Sequence, residues 1–403
     1  MSLLDKLKKY EEGDFTYIEG NFPPVFCKSR GLEITDCQGN TYIDLSSFFG
    51  VSILGHSPDF VKKMAEKEFY HSMGDLIPSR EKIELLERLA KLLGGNMKGI
   101  LVQNGSDAVE ACLRTAYIYK KSRKIIAFEG AYHGTGLGAL SATYGKHFRK
   151  KFEKILPFEA KFFPFSESSL KEIESSVKNE DISAIIIEPI QGRAGIKLAP
   201  KKLLEGLREI ASSFNVLLIF DEIYTGFYKT GFPFAKDFFN IEPDLIAIGK
   251  ALSTVFPISA CMGKSEIMDI WGKTSGEASY TYTFSGNPFL CRVSLAALDE
   301  YERINAAEKA REIEGWVKEL SKPLKEKGLI KEIRGIGILW GFDFKNPGYG
   351  YQIFRKLLEK GWITIPSGLN GEVLEIIPPL IVDRSTLKRF FSTLEVLVEE
   401  LLL

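Results

Sequence analysis

The sequence predicts an α/β fold with a mainly parallel sheet, and two observations from the middle of the chain predict it. Short apolar runs alternate with longer amphipathic ones, which is typical of repeated strand–helix units. The apolar runs also lack the alternation of a half-exposed strand, which suits strands covered on both faces. At 403 residues, the chain is long enough for a large core and usually for more than one domain.

The predicted elements follow in chain order. Near the N-terminus, the short strands Leu32–Asp36 and Thr41–Leu45 flank a turn at Gly39-Asn40. The middle alternates strands and helices. Its strands are predicted at 100–103, 124–128, 184–187, 216–220, 245–248 and 258–262, and its helices at 107–121, 170–178 and 201–213.

Long charged helices and a Gly-punctuated strand pair, Ile333–Phe344, occupy the last part of the chain. We therefore expect three parts. Residues 56–300 form a large α/β domain, residues 301–403 form a smaller α+β domain, and residues 1–55 pack with that smaller domain.

Composition excludes several classes of partner. Lys plus Arg and Asp plus Glu both number 53, so no basic bias suggests a nucleic acid or a membrane surface, and a small-molecule substrate is favoured. No stretch approaches the roughly 20 apolar residues of a membrane span. The N-terminus lacks a signal-peptide pattern, so we expect a cytoplasmic protein.

The five cysteines and four histidines show no metal-ligand spacing and no C-x-x-C pair, so we expect no metal. A disulfide framework is not expected either. The sequence instead favours cysteines that serve as small buried apolar residues.

Polar side chains gather at the predicted strand ends, where ligands of open α/β sheets bind. In Asn104-Gly105-Ser106, Gly105 permits a tight turn, Ser106 can cap the following helix, and free N–H groups can bind an anion. An ordinary strand-to-helix turn explains the same pattern. Tyr132 also follows a strand and could stack on a flat ligand, although, read alone, the residue is better explained by packing in the core or a loop.

Asp221 follows the apolar run 216–220, as in the magnesium-binding strand of a phosphate-loop NTPase. That class also requires G-x-x-x-x-G-K-[ST]. The only close candidate, at Gly249-Lys250, has Asp244 in place of the first glycine and Ala251 in place of Ser or Thr. The NTPase interpretation therefore fails, and a solvated acidic strand end is the remaining alternative.

Lys250 directly follows another buried strand. A lysine at such a place is costly unless it has a task, and a buried lysine can form a Schiff base. Together the strand ends supply an anion site, a carboxylate, an aromatic platform and an amine. Pyridoxal 5'-phosphate (PLP) requires this set.

The sequence resembles the class III aminotransferases, the ornithine and acetylornithine type of fold-type-I PLP enzyme, from about residue 30 to residue 383. The spacing of 29 residues (250 − 221) between the acid and the lysine matches the family. The blocks that carry the resemblance are Asn104-Gly-Ser106, Tyr132-His-Gly134, Glu188-Pro-Ile-Gln-Gly192, Asp221-Glu-Ile-Tyr-Thr-Gly226, Gly249-Lys250, Thr283-Phe-Ser-Gly-Asn-Pro288 and Pro378-Pro-Leu380.

The resemblance implies a role for each matched residue. Lys250 would form the Schiff base with PLP and move the proton, and Asp221 would pair with the pyridinium nitrogen. Thr283 would reach the phosphate across the interface of a homodimer with shared active sites. The other implied cofactor contacts are Gly105 and Ser106 at the phosphate, Tyr132 and Ile223 on the two ring faces, and His133, Glu188 and Tyr224 nearby.

Several positions depart from the family pattern on the substrate side. Tyr224 replaces a Gln beside the phenolic oxygen, to which a tyrosine could still donate a hydrogen bond. Arg193 and Glu375 exchange the signs of a Glu–Arg pair, so we expect them to form an ion pair that leaves a carboxylate-binding cation on the large-domain side, with two unrelated surface charges as the alternative. Phe49 falls where an aromatic lines the substrate side, with packing as the alternative.

The implied function is transfer of an amino group from an amino acid or amine to a 2-oxo acid. An amino-acid racemase, or an aminomutase of the glutamate-semialdehyde type, would use the same lysine and acid. The motifs do not separate these reactions. A cofactor-binding protein without turnover is a third possibility, which the intact Lys250, Asp221 and Thr283 disfavour.

Overall fold

A computed structural model describes residues 2–11, 22–67, 71, 74, 76–274, 276–344 and 346–402. The strands, in chain order, are β1 (Phe26–Arg30), β2 (Glu33–Asp36), β3 (Thr41–Asp44), β4 (Met97–Val102), β5 (Lys124–Phe128), β6 (Glu159–Phe163), β7 (Ile182–Ile187), β8 (Ile190–Gln191), β9 (Lys197–Leu198), β10 (Leu217–Asp221), β11 (Leu245–Ile248), β12 (Ser259–Lys264), β13 (Glu332–Ile336), β14 (Leu339–Asp343), β15 (Trp362–Ile363), β16 (Ile365–Ser367) and β17 (Val373–Ile376).

The helices are α1 (Leu3–Tyr10), α2 (Ser47–Gly50), α3 (Asp59–Ala65), α4 (Arg80–Leu92), α5 (Gly105–Lys120), α6 (Leu137–Ala142), α7 (Lys146–Arg149), α8 (Leu170–Asn179), α9 (Lys201–Ser213), α10 (Ala235–Phe239), α11 (Ser265–Met268), α12 (Pro288–Arg303), α13 (Ala306–Glu326), α14 (Tyr349–Glu359) and α15 (Arg384–Leu402). Single 3₁₀ turns lie at Glu153–Ile155, Glu167–Ser169, Lys250–Leu252 and Asp269–Trp271. No helix in the described ranges is both long and apolar enough to cross a bilayer.

The large sheet has the strand order β4-β12-β11-β10-β7-β5-β6. All pairs within it are parallel except those of β12, which runs antiparallel to both β11 and β4. Every residue of β7, β10 and β11 is buried, because helices cover both faces of the sheet. The predicted α/β class with a mainly parallel sheet is confirmed.

Helix α9 shows how the sequence places a helix on this sheet. Its buried side chains recur at helical spacing and form one apolar stripe, while charged residues cover the opposite face. The stripe packs onto β7 and β10. This contact fixes the two neighbouring strands, and with them the carboxyl ends that carry site residues, relative to the helix. Its members are Leu203, Leu204, Leu207, Ile210 and Ala211.

The two ends of the chain meet beside the large sheet. Strand β3 pairs in parallel with β15, so a sheet of order β1-β2-β3-β15 contains strands from both ends. A second small sheet has the order β13-β14-β17-β16. The division into residues 1–55, 56–300 and 301–403, with the first part packed on the last, stays a prediction.

The expectation that all five cysteines are buried apolar residues is wrong for two of them. Cys27 and Cys37 are exposed and form a disulfide. Antiparallel pairing of β1 with β2 folds the chain back, so cysteines 10 residues apart lie opposite one another without a C-x-x-C motif. Cys112, Cys261 and Cys291 are free and buried, as predicted.

Candidate functional site

The predicted site residues lie on loops that leave the large sheet at one edge. These loops follow β4, β5, β7, β10 and β11, strands that all run in the same direction. Ligands of open α/β sheets bind beyond the carboxyl ends of such strands. The topology therefore brings together the acid, the lysine and the helix N-terminus that are far apart in the sequence.

Asp221 is the last residue of β10 and is 4% exposed. Its Oδ2 lies 2.7 Å from Nδ1 of His133, and its Oδ1 accepts the N–H of Ile223 at 3.1 Å. A carboxylate only accepts, so the Nδ1–H of His133 is the donor, and each oxygen of Asp221 keeps a lone pair for a further donor. Burial by itself lowers the pKa of His133, but the hydrogen bond and charge of Asp221, with the charge of Glu188, raise it above its ordinary value.

Lys250 begins the turn that follows β11, with a left-handed backbone (φ 47°) that is uncommon outside glycine. Its Nζ lies 4.2 Å from the centroid of the Tyr224 ring. Burial lowers the pKa of Lys250 to about 8, although the charges of Asp221, Glu188 and Glu375 favour the ammonium form. The amine is therefore closer to its nucleophilic neutral form at neutral pH than a surface lysine is.

Glu188 follows β7 and holds the loop that carries Tyr132. Its Oε2 accepts the backbone N–H of Tyr132 at 2.9 Å. Burial raises the pKa of Glu188 to about 7, and the nearby charge of Asp221 acts in the same direction. Glu188 thus fixes the aromatic loop relative to the acid–lysine pair, a role that the sequence did not reveal.

The N-terminus of α5 points its first backbone N–H groups, those of Gly105 and Ser106, at this edge. The prediction that Ser106 caps the helix is wrong. Asn104 is the N-cap, because its side chain accepts the N–H of Asp107 at 3.0 Å. Ser106 instead accepts the N–H of Thr135 through Oγ at 3.2 Å and joins α5 to the loop after β5.

Thr143 is a contributor that sequence reasoning missed. Its Oγ1 accepts the N–H of His133 at 3.0 Å and donates to the carbonyl of Gly134 at 2.9 Å. These bonds fix the loop that presents Tyr132 and His133. The residue follows the short helix α6, and no periodic pattern in that stretch marks it.

A cavity of about 400 Å³ opens beside the Tyr224 ring, over which the Lys250 amine lies, and the residues predicted for the substrate side line it. Phe49, Tyr132, Arg193, Tyr224 and Glu375 all line it, so the structure brings these predicted residues together. Three further aromatic rings that the sequence did not mark also line the cavity, one on a loop, one on the short helix α7 and one in the first turn of α14. These are Tyr144, Phe148 and Tyr351.

A larger open groove of about 970 Å³ lies between the β13–β14 pair and α13. It holds none of the predicted site residues. We place the chemistry at the smaller cavity, because that one adjoins the ring over which the Lys250 amine lies.

The predicted ion pair between Arg193 and Glu375 is wrong. In the described part of the chain these two side chains make no ion pair. The Arg193 guanidinium stacks on Tyr132 at 4.9 Å and on Phe148 at 5.3 Å from the ring centroids. Aromatic contacts of this kind, which charge reasoning alone does not foresee, hold the arginine away from Glu375.

Tyr224, and not Arg193, is the side chain that bonds to Glu375. Its hydroxyl donates to Oε2 of Glu375 at 2.7 Å, so in this structure that proton is not directed at a cofactor oxygen. Burial raises the pKa of Glu375 to about 7, although bonds to its oxygens and the charges of Arg193 and Lys250 act the other way.

Thr283 lies apart from this group in one chain. It is exposed in a turn, and it is not among the described residues that line the cavity. Its neighbours Tyr280 and Tyr282 donate hydrogen bonds to Asp107 in the first turn of α5, at 2.9 and 3.2 Å. Its predicted contact with a phosphate of a second subunit stays a prediction.

The described residues fit PLP. The phosphate of PLP needs N–H donors, its ring nitrogen needs an acid, and its aldehyde needs an amine. The first turn of α5, the spare lone pairs of Asp221 and the buried amine of Lys250 supply these. Gly105 also leaves room there, because a Cβ on it would lie 3.0 Å from Cγ2 of Ile223.

Comparison with known proteins agrees with this assignment. A family model described as aminotransferase class-III matches residues 17–398. The acetylornithine aminotransferase of Aquifex aeolicus is 34% identical over 393 residues, which cover 94% of this chain and 99% of the relative. The putrescine aminotransferase of Pectobacterium atrosepticum is 32% identical over 387 residues, which cover 92% and 81%.

A solved structure of the ornithine aminotransferase from Toxoplasma gondii, described as having PLP at partial occupancy in its active site, superposes with a TM-score of 0.86. It is 26% identical, and the match covers 98% of this chain and 94% of that one. The fold, the site and these matches define a PLP-dependent transferase. The chain belongs to the class III aminotransferases, and its reaction is PLP-dependent transfer of an amino group.

Proposed function

We propose that this enzyme transfers an amino group from an amino acid or an aliphatic amine to a 2-oxo acid, with Lys250 and Asp221 as its catalytic residues. One observation carries the proposal. The amine of Lys250 is desolvated within the influence of three carboxylates, at the edge where the N-terminus of α5 offers an anion site. A lysine in such surroundings is suited to covalent chemistry with a carbonyl group.

PLP, when bound, supplies an aldehyde and an electron-withdrawing ring. We assign its phosphate to the N–H groups of Gly105 and Ser106, and its ring nitrogen to Asp221. His133 donates its Nδ1–H to Oδ2 of Asp221 at 2.7 Å, which keeps the acid oriented. Ile223 and Tyr132 are assigned to the two ring faces, and Glu188 positions the second of them.

Lys250 is assigned the proton transfer. Its pKa of about 8 lies near the working pH of most enzymes, where a group can both accept and donate a proton. Burial of the amine strengthens its interaction with the nearby carboxylates of Asp221, Glu188 and Glu375.

The amino donor and the acceptor are assigned to the 400 Å³ cavity. Arg193 is the cation on its wall, so we assign it the carboxylate of the 2-oxo acid. The relatives named for acetylornithine and putrescine support a donor whose reacting amine ends an aliphatic chain. Phe49 is assigned to the same wall.

We also propose a homodimer whose subunits complete each other's sites. Gly74 packs against Gly286, where an added Cβ would lie 2.1 Å from a backbone atom, so the segments that carry these glycines meet on one surface. Three large apolar side chains are exposed on these segments, which is typical of a protein–protein interface. They are Leu76, Ile77 and Phe284, and Thr283 lies directly beside the last of them. A cytoplasmic location stays a prediction.

A single-turnover experiment tests the proposed reaction. With an amino donor and no 2-oxo acid, a transferase stops after one amino group per active site, which absorbance of the cofactor follows. Lys250→Ala should slow this step by roughly 10²–10⁴-fold, the range for a positioned acid–base group, while the exposed Lys202→Ala should leave it unchanged.

Sustained conversion without an acceptor would overturn the proposal. If an L-amino acid were racemised, or its amino group moved within one molecule, the racemase or aminomutase alternative would stand instead. A Lys250→Ala protein with full turnover would remove the assignment of the catalytic lysine.

A further inference from the structure

The Glu375 carboxylate has an oxygen atom that can accept a further hydrogen bond at the wall of the substrate cavity. It lies on β17, it is 1% exposed, and it lines the cavity beside Tyr224. Its Oε2 accepts the Tyr224 hydroxyl, while its Oε1 makes no contact of full hydrogen-bond geometry among the residues that the structure describes. The Ser367 hydroxyl is the neighbouring neutral donor, close enough to lower the pKa of the carboxyl, and no positively charged group among the described residues bonds to this oxygen. A buried carboxylate oxygen without a well-aligned donor is costly, so a ligand that brings a donor would be bound favourably here.

The acid is held in place close to the reacting amine. Tyr224 cannot shift toward Gly192, where even an added Cβ would lie 2.8 Å from its ring. The same ring has the Lys250 amine 4.2 Å from its centroid on one side and bonds Glu375 through its hydroxyl. The carboxylate is thus fixed by a rigid ring and is pre-organised for a ligand.

The cation of the cavity does not satisfy this oxygen. Arg193 is exposed and stacked on Tyr132 and Phe148, and within the described ranges it makes no ion pair with Glu375. The cavity therefore has a positive group on an exposed wall and a negative group on a buried one, with aromatic and aliphatic side chains between them.

We propose that Glu375 is a specificity-determining residue whose free oxygen binds a second ammonium group of the amino donor. The preferred donors are then aliphatic amines that carry a second positive charge. The group at Glu375 is not the reacting one, because the reacting amine must be uncharged to attack a carbonyl carbon. This inference rests on the proposed amino-group transfer and adds the class of donor to it.

Matched donors test the inference. Butane-1,4-diamine and pentylamine have the same number of heavy atoms, but the second has a methyl group where the first has an ammonium group. In the wild-type protein, kcat/KM should favour the diamine. Glu375→Gln keeps the shape and an acceptor for Tyr224 but loses the charge, so the diamine-to-monoamine ratio should fall by about 10- to 100-fold.

Glu172→Gln is the matched control, because it removes one exposed carboxylate on α8 and should leave the ratio unchanged. A wild-type protein with no preference for the diamine, or a Glu375→Gln protein with the wild-type ratio, would overturn the inference.

Binding of a non-reacting dication separates this inference from the proposed reaction. N,N,N′,N′-Tetramethylbutane-1,4-diamine has no primary amine to transfer, and calorimetry on the cofactor-loaded protein measures its affinity. Glu375→Gln should weaken that binding by at least about tenfold. If this holds while no amine is turned over, the proposed reaction fails and the dication site stands. If the wild-type and Glu375→Gln proteins bind the probe with the same affinity, the dication site is refuted, whether or not an amine is turned over.

Discussion

Arg193 shows how an aromatic contact can redirect a charge that the sequence assigns elsewhere. Its guanidinium lies over Tyr132 and Phe148, whose ring centroids are 5.2 Å apart. The exchange of signs with Glu375 predicts that both groups belong to the substrate side, and both do line the cavity. Their separation could not be predicted, because it depends partly on the Phe148 ring, which lies on the short helix α7 and belongs to no recognisable motif.

Arg193→Ala is expected to raise KM for a 2-oxo acid acceptor by about 10- to 100-fold, because it removes one charge-assisted hydrogen bond to the acceptor's carboxylate. Turnover with a neutral amine donor should change far less. Steady-state kinetics with both substrates varied measures the two effects. Arg389→Ala is the matched control, since Arg389 lies 5.8 Å from the Trp362 ring and is absent from the cavity lining. Equal effects on both substrates would contradict the assignment.

Glu375 should also leave a signature in stability. Burial raises its pKa to about 7 from an ordinary value of 4.5. Between these values the folded chain holds a proton that the unfolded chain has lost, so this group lowers the free energy of unfolding as pH rises through that window. Glu375→Gln removes the effect, and the variant should gain on the order of 1–3 kcal/mol relative to wild type between about pH 5 and pH 8.

Urea unfolding of both proteins at the two pH values measures this difference. Glu172→Gln, which changes an exposed carboxyl and keeps Glu375, should follow the wild type at both pH values. A Glu375→Gln protein whose difference from wild type is the same at both pH values would show that the carboxyl does not titrate in this window.

The elements of the large sheet illustrate what sequence pattern can and cannot predict. Strands 124–128 and 245–248 and helix 201–213 have the predicted bounds, because each is a single apolar or amphipathic run. Strand β4 begins three residues earlier than predicted, since Lys98 and Gly99 interrupt its apolar pattern. The antiparallel direction of β12 could not be predicted, because an apolar run carries no direction.

Helix α5 offers a test at the scale of an element. Gly105→Ala should weaken PLP binding, because a Cβ there would lie 3.0 Å from Cγ2 of Ile223 and push that side chain toward the cofactor ring. Gly315→Ala in α13 is the matched glycine-to-alanine change, since nothing lies within 4 Å of its added Cβ. It should raise the free energy of unfolding by about 0.5–1 kcal/mol.

Cofactor titration and urea unfolding of the two variants separate these effects. A Gly105→Ala protein with wild-type affinity for PLP would show that Ile223 does not border the cofactor. A Gly315→Ala protein that loses stability would show that α13 does not accept an alanine at that position.

For the whole molecule, shared sites predict complementation between defective chains. In a mixed dimer of Lys250→Ala and Thr283→Ala chains, one site carries both defects and the other carries neither. Refolding an equal mixture should therefore recover activity above the mean of the two parents. The mixture should reach roughly a quarter of the wild-type value if half of the dimers are mixed.

Activity at or below the parental mean would contradict shared sites. A mixture of Lys250→Ala with Asp221→Asn chains is the control, because both residues belong to the same chain's site. Each site of its mixed dimer then carries one defect, so this mixture should stay at the mean of its two parents, whichever subunit Thr283 serves.

The parallel pairing of β3 with β15 has a consequence for how the enzyme is made. Ile43 and Trp362 are register partners separated by 319 positions (362 − 43), whereas the large sheet lies within residues 97–264. Contacts between distant segments form late. A growing polypeptide can complete the large sheet, with the cofactor-binding edge proposed on it, long before Glu375 and its neighbours leave the ribosome. If Glu375 selects the donor as proposed, we therefore expect the capacity to bind the cofactor to arise before the selectivity among amines during biosynthesis.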